Sequence, residues 1–279
     1  MGNELNKLLT VVIPVKNEEK NLPHCLECVK DIEHVVVVDS GSTDGTCSIA
    51  EKAGREIVQF KWNGMFPKKR NWILRNYPFK TPWVMFLDAD EFPRDDFWNE
   101  LERVLPETNC VGFWLGYDVW FLGRVLRHGL HVWKTALLKV GSGEYEPIME
   151  KRWSNLDMEI HEHIIFKGDV GRLHTRIEHH DRKTLTAFYN RHNEYSSWEI
   201  ERFEKIKDLS SMTLRQQIKY IFFRSKIFPL FYFTVIYIFK GGFLDGQPGF
   251  FYAISKLCHH YQIRAKYYEM KHCVAVPNE

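Results

Sequence analysis

Along the first hundred residues, unbroken apolar runs alternate with segments whose apolar residues recur at steps of three and four. Residues 10–15 (Thr-Val-Val-Ile-Pro-Val) and 34–39 (His-Val-Val-Val-Val-Asp) show no polar alternation. Such runs predict strands covered on both faces, as in a parallel sheet. Between them Leu22, Cys25, Leu26 and Val29 have helical spacing, which predicts a helix within 17–31. Residues 40–45 read as a turn feeding a helix that ends near Gly54. A short strand is expected at 56–60, a helix at 68–77 and a strand at 83–87 (Trp-Val-Met-Phe-Leu). Strands alternating with helices imply βαβ units with right-handed crossovers, hence an α/β fold whose mostly parallel sheet is flanked by helices.

After Pro106 the texture changes. Residues 111–120 and 131–140 predict two strands around a turn at 123–129, and 159–166 with 172–179 predict a second antiparallel pair around Lys167-Gly168-Asp169. This stretch reads as an antiparallel insertion that completes a site. A polar amphipathic helix is expected at 184–208. Residues 220–239 are rich in aromatic and aliphatic side chains but broken by Arg224, Lys226 and Pro229. A spanning helix needs roughly 20 predominantly apolar residues, and the uninterrupted part is shorter. A helix lying in the membrane interface and a packed core helix both fit. The expected organisation is a domain at 1–208, with a nucleotide-binding part at 8–106 and an acceptor-side part at 107–208. A helical, membrane-associating region follows at 209–279.

Composition narrows the class. With 44% hydrophobic residues among 279, a sizeable core is expected and wholesale disorder is not. The net charge of +2 gives no reason to expect nucleic acid as a partner. The charge is unevenly spread, with 12 Lys/Arg against 6 Asp/Glu after residue 200. A basic, aromatic C-terminal third suits an anionic membrane surface. The N-terminus carries no secretory leader pattern, and six cysteines without a disulfide framework suit a reducing compartment. A cytoplasmic protein, peripheral on the inner face of a bacterial membrane, is the expectation. Cys25 and Cys28 form a C-x-x-C in mid-helix with no second pair, which reads as ordinary packing.

The chemistry centres on Asp88-Ala89-Asp90-Glu91, directly after the apolar run at 83–87. In open α/β sheets, ligands collect at the carboxyl ends of strands. Mg²⁺ commonly takes one or two carboxylates together with substrate phosphates. An Asp-x-Asp in that position suits a divalent metal, Mg²⁺ or Mn²⁺, held against a diphosphate. The plainer alternative is a solvated acidic turn.

These segments together resemble the family 2 inverting glycosyltransferases, which have the GT-A fold. The resemblance rests on Val12-Ile13-Pro14-Val15-Lys16-Asn17-Glu18, Val38-Asp39-Ser40-Gly41-Ser42-Thr43-Asp44-Gly45-Thr46, Lys69-Arg70-Asn71 and Asp88-Ala89-Asp90-Glu91, in this order over about the first 100 residues. The remainder is similar to bacterial lipopolysaccharide-core and exopolysaccharide enzymes, through Ile160-His161-Glu162-His163, His179 and Gly242-Phe243-Leu244-Asp245-Gly246. The resemblance implies transfer of a sugar from a nucleotide-sugar, a UDP-sugar by preference, to a hydroxyl of a glycan or glycolipid acceptor, with inversion. It implies that Pro14, Lys16, Asn17, Glu18 and Asp39 line the nucleoside site, and that Lys69 or Arg70 adds a cation near the phosphates. Asp88 would lie near ribose and metal, Asp90 would bind the metal, and one of His179 and His180, with His179 the better match, would complete its shell. Asp44 reads instead as a helix N-terminal residue that complements the dipole.

Single displacement needs a base that takes the acceptor's proton. Glu162 is the candidate, with Glu159 and Glu150 as competitors and a surface salt bridge as the plainer reading. Trp114, Tyr117, Trp120, Trp133 and Trp153 suit either a sugar groove or, for most of them, core. Three other readings stand beside the transferase. A sugar-phosphate nucleotidyltransferase would need a Gly-rich basic loop after the first strand, where Pro14 to Glu18 stand. A noncatalytic membrane-binding scaffold would not need Asp88, Asp90 and Glu162. A zinc hydrolase on His161 and His163 lacks the H-E-x-x-H spacing.

Overall fold

The computed structural model describes residues 3–64, 66–146, 164–180, 184–205 and 225–273. They divide into two units, one formed by Met1–Trp120 with His131–Arg182, the other by Phe121–Leu130 with Lys183–Glu279.

The first unit begins with α1 (Asn3–Leu8), β1 (Leu9–Val15), α2 (Leu22–Cys28), β2 (His34–Asp39), α3 (Thr46–Lys52) and β3 (Glu56–Gln59). It continues through α4 (Lys69–Asn76), β4 (Trp83–Phe86), β5 (Glu91–Phe92), α5 (Asp95–Val104) and β6 (Gly112–Phe121). After β7 (Arg124–Leu126), which lies in the second unit, come β8 (Val132–Lys139), β9 (Gly143–Tyr145), β10 (Ile164–Phe166) and β11 (Val170–His179). The main sheet runs β3-β2-β1-β4-β8-β6-β11-β5. Its first four strands are parallel, whereas β8 is antiparallel to both β4 and β6. Every residue of β1 is buried, as its unbroken apolar run predicts. The core gathers β1, β2 and β4 with Leu22 and Leu26 of α2, Ile73 of α4, and Phe97, Trp98 and Leu101 of α5.

The strand order places a switch point between β1 and β4, where successive connections leave in opposite directions. Such a point opens a crevice beyond the strands' carboxyl ends. Pro14 marks the same place. Val12 accepts a hydrogen bond from Leu87 on the β4 side, so alternation aims the Pro14 nitrogen toward β4 as well. The last paired residues there are Val12 and Phe86, so a residue without N–H leaves no rung unmade.

One expected pairing is corrected. Lys167-Gly168-Asp169 does not close a hairpin. β10 pairs antiparallel with β9, and β11 enters the main sheet, parallel to β6 and antiparallel to β5. Glycines admit this arrangement. A Cβ on Gly112 would meet the Phe166 ring at 2.0 Å, and one on Gly171 would meet the Phe113 ring at 2.5 Å. Residues 159–163 of the expected strand 159–166 lie outside the described residues.

The second unit contains β7 and α6 (Leu185–Lys205), α7 (Phe228–Thr234), a π-helical stretch (Val235–Phe239), a 3₁₀ turn (Gly242–Asp245) and the long α8 (Gly246–His272). The expected helix at 184–208 is therefore present as α6. Within 220–239, α7 and the π stretch form the described part. The Gly242-Phe243-Leu244-Asp245-Gly246 motif has a structural role. The buried Asp245 carboxylate accepts the backbone N–H groups of Arg127 (3.1 Å) and His128 (2.9 Å). A Cβ on Gly249 would strike the Gly242 carbonyl oxygen at 2.2 Å, so glycine there lets α8 start against the turn.

Candidate active site

The site is built in the first unit at the carboxyl ends of β1, β2 and β4. Asn17, directly after β1, adopts a left-handed conformation (φ 56°), which Asn tolerates better than most residues. Its N–H donates to Ser42 Oγ (2.9 Å), and its Oδ1 accepts from the Thr43 N–H (2.8 Å). Asp39 ends β2 and accepts from the N–H groups of Gly41 (3.0 Å) and Ser42 (3.1 Å), as well as from the Ser42 hydroxyl. Burial pushes its carboxyl up, but the bonds from Ser42 and Gly41 outweigh that and hold it below the usual range. The Glu18 N–H donates to Thr46 Oγ1 (2.8 Å), and its carboxylate accepts from the Asn21 amide (2.8 Å). Two loops are thereby fastened to each other. Asp44 serves this fastening, accepting from Thr46 N–H (3.0 Å) and Glu19 N–H (3.3 Å). Pro14 is buried and Lys16 exposed.

Lys69 and Arg70 have different surroundings. Lys69 is fully buried, and its Nζ donates to the Val15 carbonyl (2.8 Å) at the end of β1. Arg70 forms an ion pair with Asp88 (2.5 Å), its guanidinium 5.4 Å from the Tyr145 ring centre. Asn71, buried beside them, donates to the Tyr145 carbonyl (2.9 Å) and accepts from the Tyr145 N–H (2.8 Å), fixing β9 against α4.

After β4 the carboxylates separate by role. Asp88 faces Arg70 on one oxygen and Lys134 Nζ, at 3.6 Å, on the other. Burial pushes Asp88 up, but these two cations hold it far below the ordinary range. Lys134 also pairs with the buried Glu91 (2.6 Å) and sits 4.6 Å from the Tyr117 ring centre. For Lys134, burial favours the neutral amine, yet Glu91 and Asp88 outweigh it and hold it firmly charged. Asp90 instead faces His179, with Oδ2 3.3 Å from Nε2. His179, brought beside it by the β5–β11 pairing, is raised by the Asp90 charge against the effect of burial. His180 turns to Glu178 (2.7 Å) and stacks on Trp120, with 4.6 Å between ring centres.

Unlike Asp88, Asp90 has a histidine and, among the described residues, no Lys or Arg within ion-pair distance, so the two side chains offer one oxygen and one nitrogen donor. Among the described residues, no group of three or more His, Cys, Asp or Glu side chains gathers to hold a metal by protein donors alone. That donor set fits a hard divalent ion whose shell is completed by substrate oxygens. Glu162, its competitors Glu159 and Glu150, both flanking histidines and Trp153 lie outside the described residues. Sequence reasoning missed Lys134 and named Glu91 only as part of the acidic motif, without a role. The available signal was Lys134 in a strand whose next residues include the apolar run Ala136-Leu137-Leu138.

Residues 10–168, more than half of the chain, match the model of glycosyl transferase family 2. The chain belongs to glycosyl transferase family 2. It is a glycosyltransferase, and its sheet with the acidic motif after β4 is the GT-A arrangement. It is 27% identical to the lipopolysaccharide core biosynthesis glycosyltransferase LpsC of Rhizobium meliloti, over 97% of this chain and 95% of that one. An uncharacterized glycosyltransferase of Rickettsia conorii is 26% identical over 90% and 86%. A TPR repeat-containing protein of Synechococcus elongatus is 34% identical over 36% of this chain, a match that spans 24% of that longer protein. Among solved structures, glucosyl-3-phosphoglycerate synthase of Mycobacterium tuberculosis, crystallised with Mn²⁺, UDP and glucosyl-3-phosphoglycerate, aligns at a TM-score of 0.34. That alignment has 22% identity and covers 42% of this chain and 47% of the other. A likeness of that extent carries no argument about chemistry.

Proposed function

We propose that this family 2 glycosyltransferase is an inverting, metal-dependent enzyme. It would move a sugar from a UDP-sugar to a hydroxyl of a lipopolysaccharide, exopolysaccharide or other lipid-linked acceptor. The observation that carries the reading is the division of labour after β4. Asp88 is neutralised by Arg70 and Lys134, while Asp90 is left facing His179.

In this reading the fastened loops after β1 and β2 receive the nucleoside. Asn17, Glu18 and Asp39 offer acceptors and oriented backbone around the crevice beside Pro14. Asp90 and His179 would hold a divalent cation, which would supply positive charge beside the departing diphosphate. Arg70 and Lys134 keep Asp88 ionised and fixed in place. The acceptor oxygen attacks the anomeric carbon, the bond from that carbon to the diphosphate oxygen breaks, and UDP leaves with the electron pair. The acceptor's proton passes to a carboxylate on the opposite side, assigned to Glu162. The acceptor class is supported by likeness to LpsC along nearly its whole length.

The test is a panel of nucleoside diphosphates and their sugars, read by thermal shift with Mn²⁺, Mg²⁺ or chelator. A ligand that binds only the native state raises the melting temperature. UDP with metal should stabilise the protein more than GDP, CDP or ADP, and chelator should abolish the difference. Equal shifts with all diphosphates, unaffected by chelator, would contradict the proposal.

A further inference from the structure

The second unit leaves a run of apolar side chains exposed to water. Ile227, just before α7, and Leu230 and Phe231 within it recur at helical steps, and Ile238, Phe239 and Leu244 follow through the π stretch and the 3₁₀ turn. Ile227 is 70% exposed, Phe231 54%, Phe239 78% and Leu244 59%. The opposite side of α7 is packed: Phe228 and Tyr232 stack edge-on against His260 of α8. Ile236 is buried. The exposed row is therefore the outer face of an element whose inner face is already used.

Two observations indicate what covers it. From residue 225 to residue 268 the chain contains a single carboxylate, Asp245, and that one is buried on the amides of Arg127 and His128. The exposed row is instead bracketed by the exposed Lys226 and Lys240. An apolar run edged by lysine, on a segment whose one carboxylate between 225 and 268 is buried, complements an anionic lipid surface. The second observation is length. Phe228–Phe239 has 12 residues, about 18 Å of helix at 1.5 Å per residue, against a hydrocarbon core of about 30 Å. Among the described residues no single helix is long and apolar enough to cross a membrane, and α7 with its π extension meets the following helical segment at a 70° bend.

We propose that the outer face of α7, its π extension and the 3₁₀ turn is a membrane-docking surface. It would insert Ile227, Phe231, Phe239 and Leu244 into the acyl boundary of an anionic bilayer, with Lys226 and Lys240 at the headgroups. It lies in one leaflet's interface and does not span. This proposal stands apart from the transfer chemistry, because vesicle binding is read without donor or acceptor.

The experiment is co-sedimentation of the full chain with vesicles of phosphatidylglycerol and phosphatidylcholine, mixed or phosphatidylcholine alone, at low and high salt. The wild type should partition to the anionic vesicles, and high salt should weaken that binding without abolishing it. The exposed pair Phe231→Glu/Phe239→Glu should lower partition about tenfold or more. Tyr268→Glu, at an exposed aromatic elsewhere on the unit, should leave it unchanged. Melting curves without ligand on the same preparations report whether each variant is folded. Equal recovery of wild type in the supernatant with both vesicle types would overturn the proposal. So would wild-type partition by the folded double variant. Loss of a dimer in the double variant, with no vesicle binding by the wild type, would assign the face to a second copy of the chain instead.

Discussion

Two lysines, one in each unit, meet burial in opposite ways. Lys134 in the first unit lies against Glu91 and Asp88 and is held charged. Lys256 in the second unit has its Nζ 3.0 Å from His192 Nε2, with no carboxylate in ion-pair reach among the described residues. Burial pushes it down to about 8. His192, depressed by burial and by Lys256 to about 3, remains neutral beside it. The first unit concentrates opposite charges at the ends of its parallel strands, where a charged ligand would be handled. The second spends its only carboxylate between 225 and 268 on a turn and turns apolar side chains outward. A buried cation in one region is part of a charge array; in the other it is a cost offset by packing.

The largest expected effect concerns chemistry in the first unit. Glu162→Gln should lower transfer by about 10²–10⁴-fold, the usual size of a lost general base. Calorimetry should show UDP binding with metal unchanged, because the base faces the acceptor. Transfer within a few-fold of wild type would move the base to Glu159 or Glu150.

Next in size is the charge array itself. Lys134→Met leaves Glu91 buried without its cation and should destabilise the protein by about 3–5 kcal/mol in denaturant unfolding. The double variant Lys134→Met/Glu91→Gln removes the stranded charge as well and should recover part of that loss. A single variant as stable as the wild type would show that Lys134 and Glu91 do not depend on each other.

The smallest effect belongs to Lys256. The unfolded chain keeps this proton up to about its ordinary value of 10.5, and the folded chain only up to about 8. Between these values the unfolded state binds more protons, so stability falls as pH drops from about 10.5 to about 8 and levels off below. Lys256→Met should flatten that part of the stability–pH curve relative to wild type. An unchanged slope would mean that Lys256 is paired in solution, and the contrast between the two lysines would fail.

How far the molecule was readable from its sequence follows the range of the interactions. β1, β2 and β4 were legible because a strand buried on both faces writes an unbroken apolar run. The carboxylates after β4 were legible because strand ends collect ligands in this class of sheet. The path of β11 was not. Lys167-Gly168-Asp169 has the local chemistry of a hairpin turn, whereas the observed pairing needs room for the Phe166 and Phe113 rings that distant Gly112 and Gly171 leave. Lys134 was invisible for a similar reason: its partners stand 43 and 46 positions away in the chain, across sheet neighbours. The split between Lys69 and Arg70 was also hidden, since adjacent helical residues look alike in sequence but face different neighbours.

The central claim is that Asp90, with His179, holds a metal against the diphosphate of the donor. Calorimetric titration of UDP into wild type and Asp90→Asn, each with Mn²⁺ and with chelator, tests it most directly. The exchange keeps the shape of the side chain and removes its charge. The account predicts tight, metal-dependent binding by the wild type, and weak binding by an equally stable Asp90→Asn that no longer responds to Mn²⁺. Metal-dependent UDP binding of wild-type strength in Asp90→Asn would contradict it.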